Sequence, residues 1–226
     1  MMETRLIGLV GGLGPAATIH YYSGLLAECT RRGVTARLII NQATVDVVLD
    51  AAGRGDRRAL AAHVATRMLE LQAANAELLA IAAITPHMCM PELAPQISLP
   101  IVDAITVTGA EIRRRGITRV ALMGTRATVA SRLFGRLGTA VVDPEPGQVS
   151  RVHDLYVSIV KLGRVEPDAA DELRQLAAAY VAEHDVQAVV LAGTELALAP
   201  ARTWEGLQVI DCAALHIDAI VTASVV

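Results

Sequence analysis

Leu78–Met90, LLAIAAITPHMCM, is the stretch on which the fold turns. Its apolar run, Leu78–Ile84, stops abruptly in a polar turn, Thr85-Pro86-His87. A buried parallel strand delivers side chains in this way to the rim of an α/β sheet, where ligands bind. A second run, Val186–Ala192 (VQAVVLA), ends alike in Gly193-Thr194-Glu195. Two buried strands, each closed by a polar turn with a threonine, predict one site built from two similar halves.

Working outward, Leu60–Ala74 reads as the helix feeding the first run, and Leu6–Val10 as a short strand followed by Gly11-Gly12-Leu13-Gly14-Pro15. A helix then begins near Pro15 or Ala16, where proline's missing N–H costs nothing. It runs through Ala17, Leu25 and Leu26 to a cationic end and a glycine stop at Arg31-Arg32-Gly33. Ala36–Ile40 is the second strand, and the polar, glycine-punctuated Asn41–Asp56 reads as a loop or mobile flap. After the proline-spaced Pro91–Pro100 the pattern restarts, with a short strand Ile101–Val102, a helix Ala104–Arg115 and a strand Arg119–Met123. Helix Ala127–Leu137, extended Ala140–Val142, loop Asp143–Gly147 and helices Gln148–Leu162 and Asp168–His184 lead to the Val186–Ala192 strand. Leu207–Ile210 and a helix Ala213–Ala223 finish the chain.

The halves echo each other: Gly14-Pro15-Ala16-Ala17-Thr18 resembles Gly124-Thr125-Arg126-Ala127-Thr128, and Ile84-Thr85 resembles Gly193-Thr194. The expected fold is α/β, two pseudo-symmetric doubly wound parallel-sheet lobes with the site in the cleft between them. The first lobe is assigned to 1–98 plus 211–226 and the second to 99–210.

Composition narrows the partners. The 226 residues are 53% hydrophobic but only 3% aromatic, so the core must be aliphatic. The net charge of −3 is scattered without a basic stripe, which argues against nucleic acid. No apolar run approaches the roughly 20 residues that span a bilayer, and the start lacks the pattern of a signal peptide. Cys29, Cys89 and Cys212 share no metal-like spacing. A reduced, cytoplasmic protein without a metal or membrane anchor is expected.

Each motif carries an ordinary reading beside a functional one. Gly12-Leu13-Gly14-Pro15-Ala16-Ala17 formally fits a dinucleotide fingerprint. The second strand, however, ends in Asn41 with no acid for a ribose, and Pro15 removes an N–H that a pyrophosphate would use. No cofactor is therefore expected; Gly11, Gly12 and Gly14 instead let a small carboxylate approach backbone N–H groups, or simply form a turn. His87 at a strand end suits general acid–base work or serves as a structural cap or core residue, with Cys89 either a thiol nucleophile or a small buried hydrophobe. Glu195 is a base or a helix cap. Thr125 and Thr128 are candidate hydroxyl donors to a carboxylate, and Lys161 either neutralises that group or is a solvated surface charge. His20, His63, His153 and His184 have no partner spacing and are read as solvated.

The chain resembles the cofactor-independent aspartate/glutamate racemase family through IGLVGGLGPAAT, LLAIAAITPHM, VALMGTRAT, PGQVSRVHDLYVSIVKLG, VVLAGTELAL and VIDCAALH, in order over nearly its whole length. The resemblance implies two cysteines facing each other across the substrate Cα, one in a segment like CNTxH and one in GCTEL. Here those segments read Ala83-Ile84-Thr85 and Ala192-Gly193-Thr194-Glu195, so Ala83 and Gly193 stand at the lost cysteine positions. An arginine in a pattern like IPDR is replaced by Val45-Asp46-Val47-Val48. The retained carboxylate cradle would comprise the glycine loop, Asn41, Thr85, Thr125, Thr128, Lys161, Gly193 and Thr194. The resemblance also implies a homodimer. The expected function is a diverged enzyme acting on a small carboxylic acid or related carbonyl compound through His87, Glu195 or Cys89, by decarboxylation, isomerisation, elimination or cyclisation. An amino-acid racemase with a rebuilt acid–base pair, and a non-catalytic binding or regulatory homologue, are the alternatives.

Overall fold

The structure, a computed structural model, describes residues 2–225; residues 1 and 226 of the expected first lobe lie outside the described residues. In chain order the elements are β1 (Met2–Gly11), α1 (Pro15–Arg31), β2 (Val34–Gln42), α2 (Val45–Gly53), α3 (Arg57–Ala73), β3 (Leu78–Ile81), a short α4 (Met90–Leu93) and α5 (Ala104–Arg114). They continue with β4 (Arg119–Met123), α6 (Arg126–Ala130), β5 (Ala140–Val142), α7 (Pro146–Leu162), α8 (Pro167–His184), β6 (Ala188–Leu191), β7 (Val209–Asp211) and α9 (Cys212–Ser224). Contacts divide the chain into two compact units, Met1–Ala104 with Ala213–Val226, and Ile105–Cys212.

The first unit carries a three-stranded sheet ordered β2-β1-β3, parallel throughout. β1 and β3 carry apolar runs because both faces are covered there: Ile7, Leu9, Leu79 and Ile81 are fully buried, whereas β2 alternates exposed and partly buried residues. Helix α9 returns to this unit. Arg32, which caps the end of α1, donates to Asp218 (2.6 Å) and Thr222 (2.8 Å) on α9. A Cβ at Gly24 would lie 2.7 Å from Ile217 Cδ1, so the glycine lets the Ile217 side chain of α9 pack directly onto α1.

The second unit carries a four-stranded parallel sheet ordered β5-β4-β6-β7. Its core gathers Met123, Val152, Leu155, Ile159, Leu173 and Tyr180 around Val189 and Leu191.

Backbone bonds recur at matching places in the two units. Glu77 N–H donates to Leu6 O (2.8 Å) as Gln187 N–H does to Arg119 O (3.0 Å). At the other end of the same strand pairs, Ala82 N–H donates to Val10 O (2.9 Å) and Ala192 N–H to Met123 O (2.7 Å). The preceding helices also exit alike, through left-handed Asn75 (φ 65) and Asp185 (φ 50). The α/β class with parallel sheets and two lobes is therefore as the sequence predicts, and the pseudo-symmetry is carried by the backbone as well as by side-chain echoes.

Several boundaries differ from expectation. Asn41–Asp56 is not a flap: β2 stays paired with β1 through Gln42, and α2 follows, burying Val48, Ala51 and Ala52. Ile101–Val102 is not a strand, since Ile101 makes only an isolated bridge to Leu79. Ala127–Leu137 is not one helix. Ser131 Oγ donates to Thr128 O (2.7 Å), Arg132 turns left-handed (φ 55), and a 3-10 turn over Leu133–Leu137 follows. The β3 and β6 strands also stop earlier than their apolar runs, at Ile81 and Leu191.

Candidate functional site

In the first unit the carboxyl ends of β1 and β3 lie side by side and open into two turns. Gly12 adopts φ +78, and a Cβ there would overlap Gln42 Cγ and lie 2.8 Å from Ala43 O, so only glycine fits. Its N–H is not offered to a ligand as expected. Thr18, one turn into α1, accepts it at 2.8 Å and donates its own hydroxyl to Gly14 O (3.2 Å). Asn41 likewise faces protein: its amide donates to Arg67 O (3.1 Å) and Glu70 (2.6 Å) on α3, clipping β2 to that helix.

After β3 the chain bends through Ala82-Ala83-Ile84, all buried, into a 3-10 turn over Thr85–Cys89. Thr85 begins this turn, partly exposed. His87 is fully buried, with Nδ1 3.2 Å from Ile84 O. Its ring meets His216 of α9 edge-on, centroids 5.6 Å apart. His216 was not singled out from the sequence, yet it centres a buried polar network. Its Nε2 lies 2.9 Å from Val102 O and its Nδ1 2.9 Å from Tyr21 Oη. A carbonyl only accepts, so Nε2 carries the hydrogen, Nδ1 is bare, and Tyr21 donates to it. Burial first, and then His87, hold His216 down to about 3. Cys89 is fully enclosed and donates to Pro86 O (3.0 Å). Burial, reinforced by Glu92, pushes its thiol up to about 12, the opposite of what a thiolate nucleophile needs.

In the second unit β4 and β6 end together in the same relation. Gly124 packs against Ala192, where a Cβ would come within 3.0 Å of its carbonyl oxygen. Thr125 caps α6: its Oγ accepts Thr128 N–H (3.1 Å) and lies 2.9 Å from Thr128 Oγ. The two hydroxyls expected to hold a carboxylate are thus engaged with each other and with the helix start. Lys161 is exposed, two residues past buried Ile159 and so on the far side of α7 from the core. It does not join this group.

Gly193-Thr194-Glu195 is fully enclosed. Glu195 is 1% exposed, and its Oε2 accepts the hydroxyl of Thr194 (2.9 Å) and that of Tyr156, which reaches across from α7. Burial pushes the Glu195 carboxyl upward, against the hydrogen bonds from Tyr156, Thr194 and its own backbone N–H that favour its ionised form. The phenol of Tyr156 is also pushed up, by burial and by Glu195. Tyr156 was not foreseen as a site residue. The available signal was helical spacing: with Val152, Leu155 and Ile159 it completes an i, i+3, i+4, i+7 stripe on α7.

The four histidines expected on solvated helix faces are less open than that. His20, His63, His153 and His184 are each only partly exposed, and His63 Nε2 accepts the N–H of Thr44 (3.2 Å), tying the start of α2 to α3. Among the described residues no group of three or more His, Cys, Asp or Glu is placed to hold a metal ion. No helix among them is long and apolar enough to cross a membrane.

The parallel sheets and recurrent strand-end turns match a known family. The model for Asp/Glu/Hydantoin racemase covers residues 10–220. The chain belongs to the Asp/Glu/Hydantoin racemase family. Solved structures of the same fold include a candidate Asp/Glu racemase from Yersinia pestis, with TM-score 0.82 and 24% identity over 99% of each chain. An aspartate racemase homologue from Pyrococcus horikoshii follows with TM-score 0.81 and 23% identity, over 97% of this chain and 98% of that one. Picrophilus torridus aspartate racemase gives TM-score 0.73 and 20% identity, over 97% and 94%. At these identities the likeness establishes the fold. Within that fold, Ala83 and Gly193 occupy equivalent rim positions, each two residues past its strand.

Proposed function

We propose that this member of the racemase family is a cofactor-independent enzyme that performs one-sided proton transfer on a small carboxylic acid or related carbonyl compound, with Glu195 as its acid–base group. The observation that carries the reading is the contrast between the equivalent rim positions and their surroundings. Two-thiol racemisation, as the family resemblance implies it, needs a proton-transferring side chain from each unit. Ala83 and Gly193 provide none. Glu195, two residues beyond Gly193, is a buried carboxyl pushed upward by its environment, which brings its proton affinity closer to neutral pH.

In this scheme the Glu195 carboxylate removes the proton from the carbon beside the substrate carbonyl. The C–H electron pair moves into the adjacent carbonyl as an enolate. The carboxylic acid so formed then returns a proton to the same face or to a different atom of the enolate. Exchange with retention or isomerisation results, rather than inversion. His87 and Cys89 are assigned supporting roles in the first unit: the thiol is too basic for nucleophilic work, and His87 packs against a histidine that stays neutral.

The test is α-proton exchange in D2O, followed by NMR, on a panel of amino acids, hydroxy acids and 5-substituted hydantoins, comparing the native chain with Glu195→Gln. The reading expects exchange on at least one compound, lost by at least about 100-fold in the variant, the scale of a general acid–base contribution. Equal exchange in both proteins removes Glu195 from the chemistry.

A further inference from the structure

The pairing of Tyr156 with Gly193 has a consequence for the site. A Cβ built on Gly193 would overlap the Tyr156 ring, lying 3.2 Å from Cδ2, 3.3 Å from Cζ and closer still to Cε2. Gly193 has φ −164, an extended backbone open to any residue, so the backbone does not ask for glycine here. The space does. The tyrosine ring occupies the volume in which a side chain at 193 would begin. Its position is set from both ends: the α7 stripe of Val152, Leu155 and Ile159 anchors the helix in the core, and the phenol hydroxyl donates to Glu195.

We propose that Tyr156 is the positioning residue of the second unit's rim: its ring closes position 193 to every side chain, and its hydroxyl orients and charges the Glu195 carboxylate. The proposal rests on the reading of Glu195 as the acid–base group, which it deepens by naming what controls that group. The groups that face the carboxylate are Tyr156 from α7 and Thr194 from its own turn, both hydroxyl donors. Neither carries charge at neutral pH, so the carboxylate's affinity for a proton is set by burial against these two donors and its own backbone N–H. Removing the phenol donor leaves burial with less opposition, and the carboxyl must titrate at higher pH. Tyr156 thus adjusts how much of Glu195 is ionised while excluding a second functional side chain beside it.

Two measurements on the full chain test this without knowing the substrate. The first is a double-mutant cycle in thermal unfolding with Gly193→Ala, Tyr156→Ala and the two combined. The overlap predicts that Gly193→Ala lowers the midpoint while Tyr156 is present, and that much of this loss disappears once Tyr156 is truncated. Additive losses would show that the ring does not close position 193. The second is the carboxyl titration of Glu195 by 13C NMR, assigned with Glu195→Gln, in the native chain and in Tyr156→Phe, which keeps the ring and the packing. The expected result is an upward shift in Tyr156→Phe; an unchanged titration overturns the positioning role. If neither protein exchanges a substrate proton while both results hold, the proposed activity fails and the role of Tyr156 stands.

Discussion

Replacing His216 with asparagine should change how the first unit's stability depends on pH, and the expected size follows from the surroundings of the imidazole. His216 is fully buried on α9, its Nε2–H directed to Val102 O and its Nδ1 receiving Tyr21 Oη, both at 2.9 Å. Protonation at Nδ1 would turn an acceptor into a donor facing a donor, in an apolar enclosure, beside His87 and with Asp103 the nearest favourable charge. The folded-state value of about 3 therefore lies well below the ordinary histidine value of 6.5. Below about pH 6.5 the unfolded chain takes up a proton that the folded chain refuses, so stability present above that pH is lost as pH falls toward 3. One proton of difference corresponds to about 1.4 kcal/mol per pH unit. Asparagine keeps an acceptor for Tyr21 but cannot titrate. At pH 7 the variant should be less stable by about 1–3 kcal/mol, because Val102 O loses its donor. Urea unfolding followed by circular dichroism at pH 7, 6, 5 and 4 should show the gap closing by about 1.4 kcal/mol for each unit below pH 6, so that the variant equals or exceeds the native chain by about pH 4. A gap that stays constant with pH would refute the neutral, buried assignment of His216.

The remaining predictions concern other buried or charged groups. Cys89, with its thiol near 12, should be about 10⁴-fold less ionised than not at pH 8 and should resist iodoacetamide in the native protein, becoming reactive only on unfolding; rapid native alkylation at that residue would contradict this. Tyr180 is fully buried with a hydroxyl that finds no partner among the described residues, so Tyr180→Phe should cost less than about 0.5 kcal/mol or stabilise the chain in urea unfolding. Glu28 is held down to about 2 by its hydrogen bonds from Arg31 and Arg32, so it supports the fold above pH 4.5 and ceases to as pH falls toward 2. Glu28→Gln should therefore flatten the acid limb of an unfolding-versus-pH curve over that window.

The architecture was legible where burial leaves a simple trace. Leu78–Ile84 and Val186–Ala192 announced themselves because parallel strands covered on both faces tolerate little but aliphatic side chains, and β3 and β6 are buried along their whole length. The repeat was visible in the threonine turns for the same reason, since equivalent strand ends make equivalent demands. Helix α2 was hidden because it spans only nine residues between polar flanks and exposes Val47 and Leu49 while burying Val48, Ala51 and Ala52. At the rims, the sequence located Gly12, Thr125, Glu195 and His87 but not what they bond to. Thr18 consumes the Gly12 N–H, and Thr125 and Thr128 satisfy each other. Tyr156 and His216 were missed because their partners lie on other elements, 39 and 195 residues away in the chain. Spacing alone could place Tyr156 on the buried face of α7, but nothing local could tell that its hydroxyl reaches Glu195.

The same geometry bears on restoring a thiol pair. Ala83→Cys adds a sulfur at a buried rim position, whereas Gly193→Cys meets the Tyr156 ring. The double variant should therefore remain inactive toward aspartate and glutamate unless Tyr156 is also truncated, as a chiral assay of the incubated amino acids would reveal.

The central claim is one-sided proton transfer, and the most direct measurement is to incubate separate enantiomers of an exchanging compound in D2O and resolve the products by chiral separation with mass detection. The account predicts deuterium in the recovered starting enantiomer with none of its mirror image formed. Deuterium appearing in the opposite enantiomer at a comparable rate would mean that a proton-transferring group acts on each face, and would contradict it.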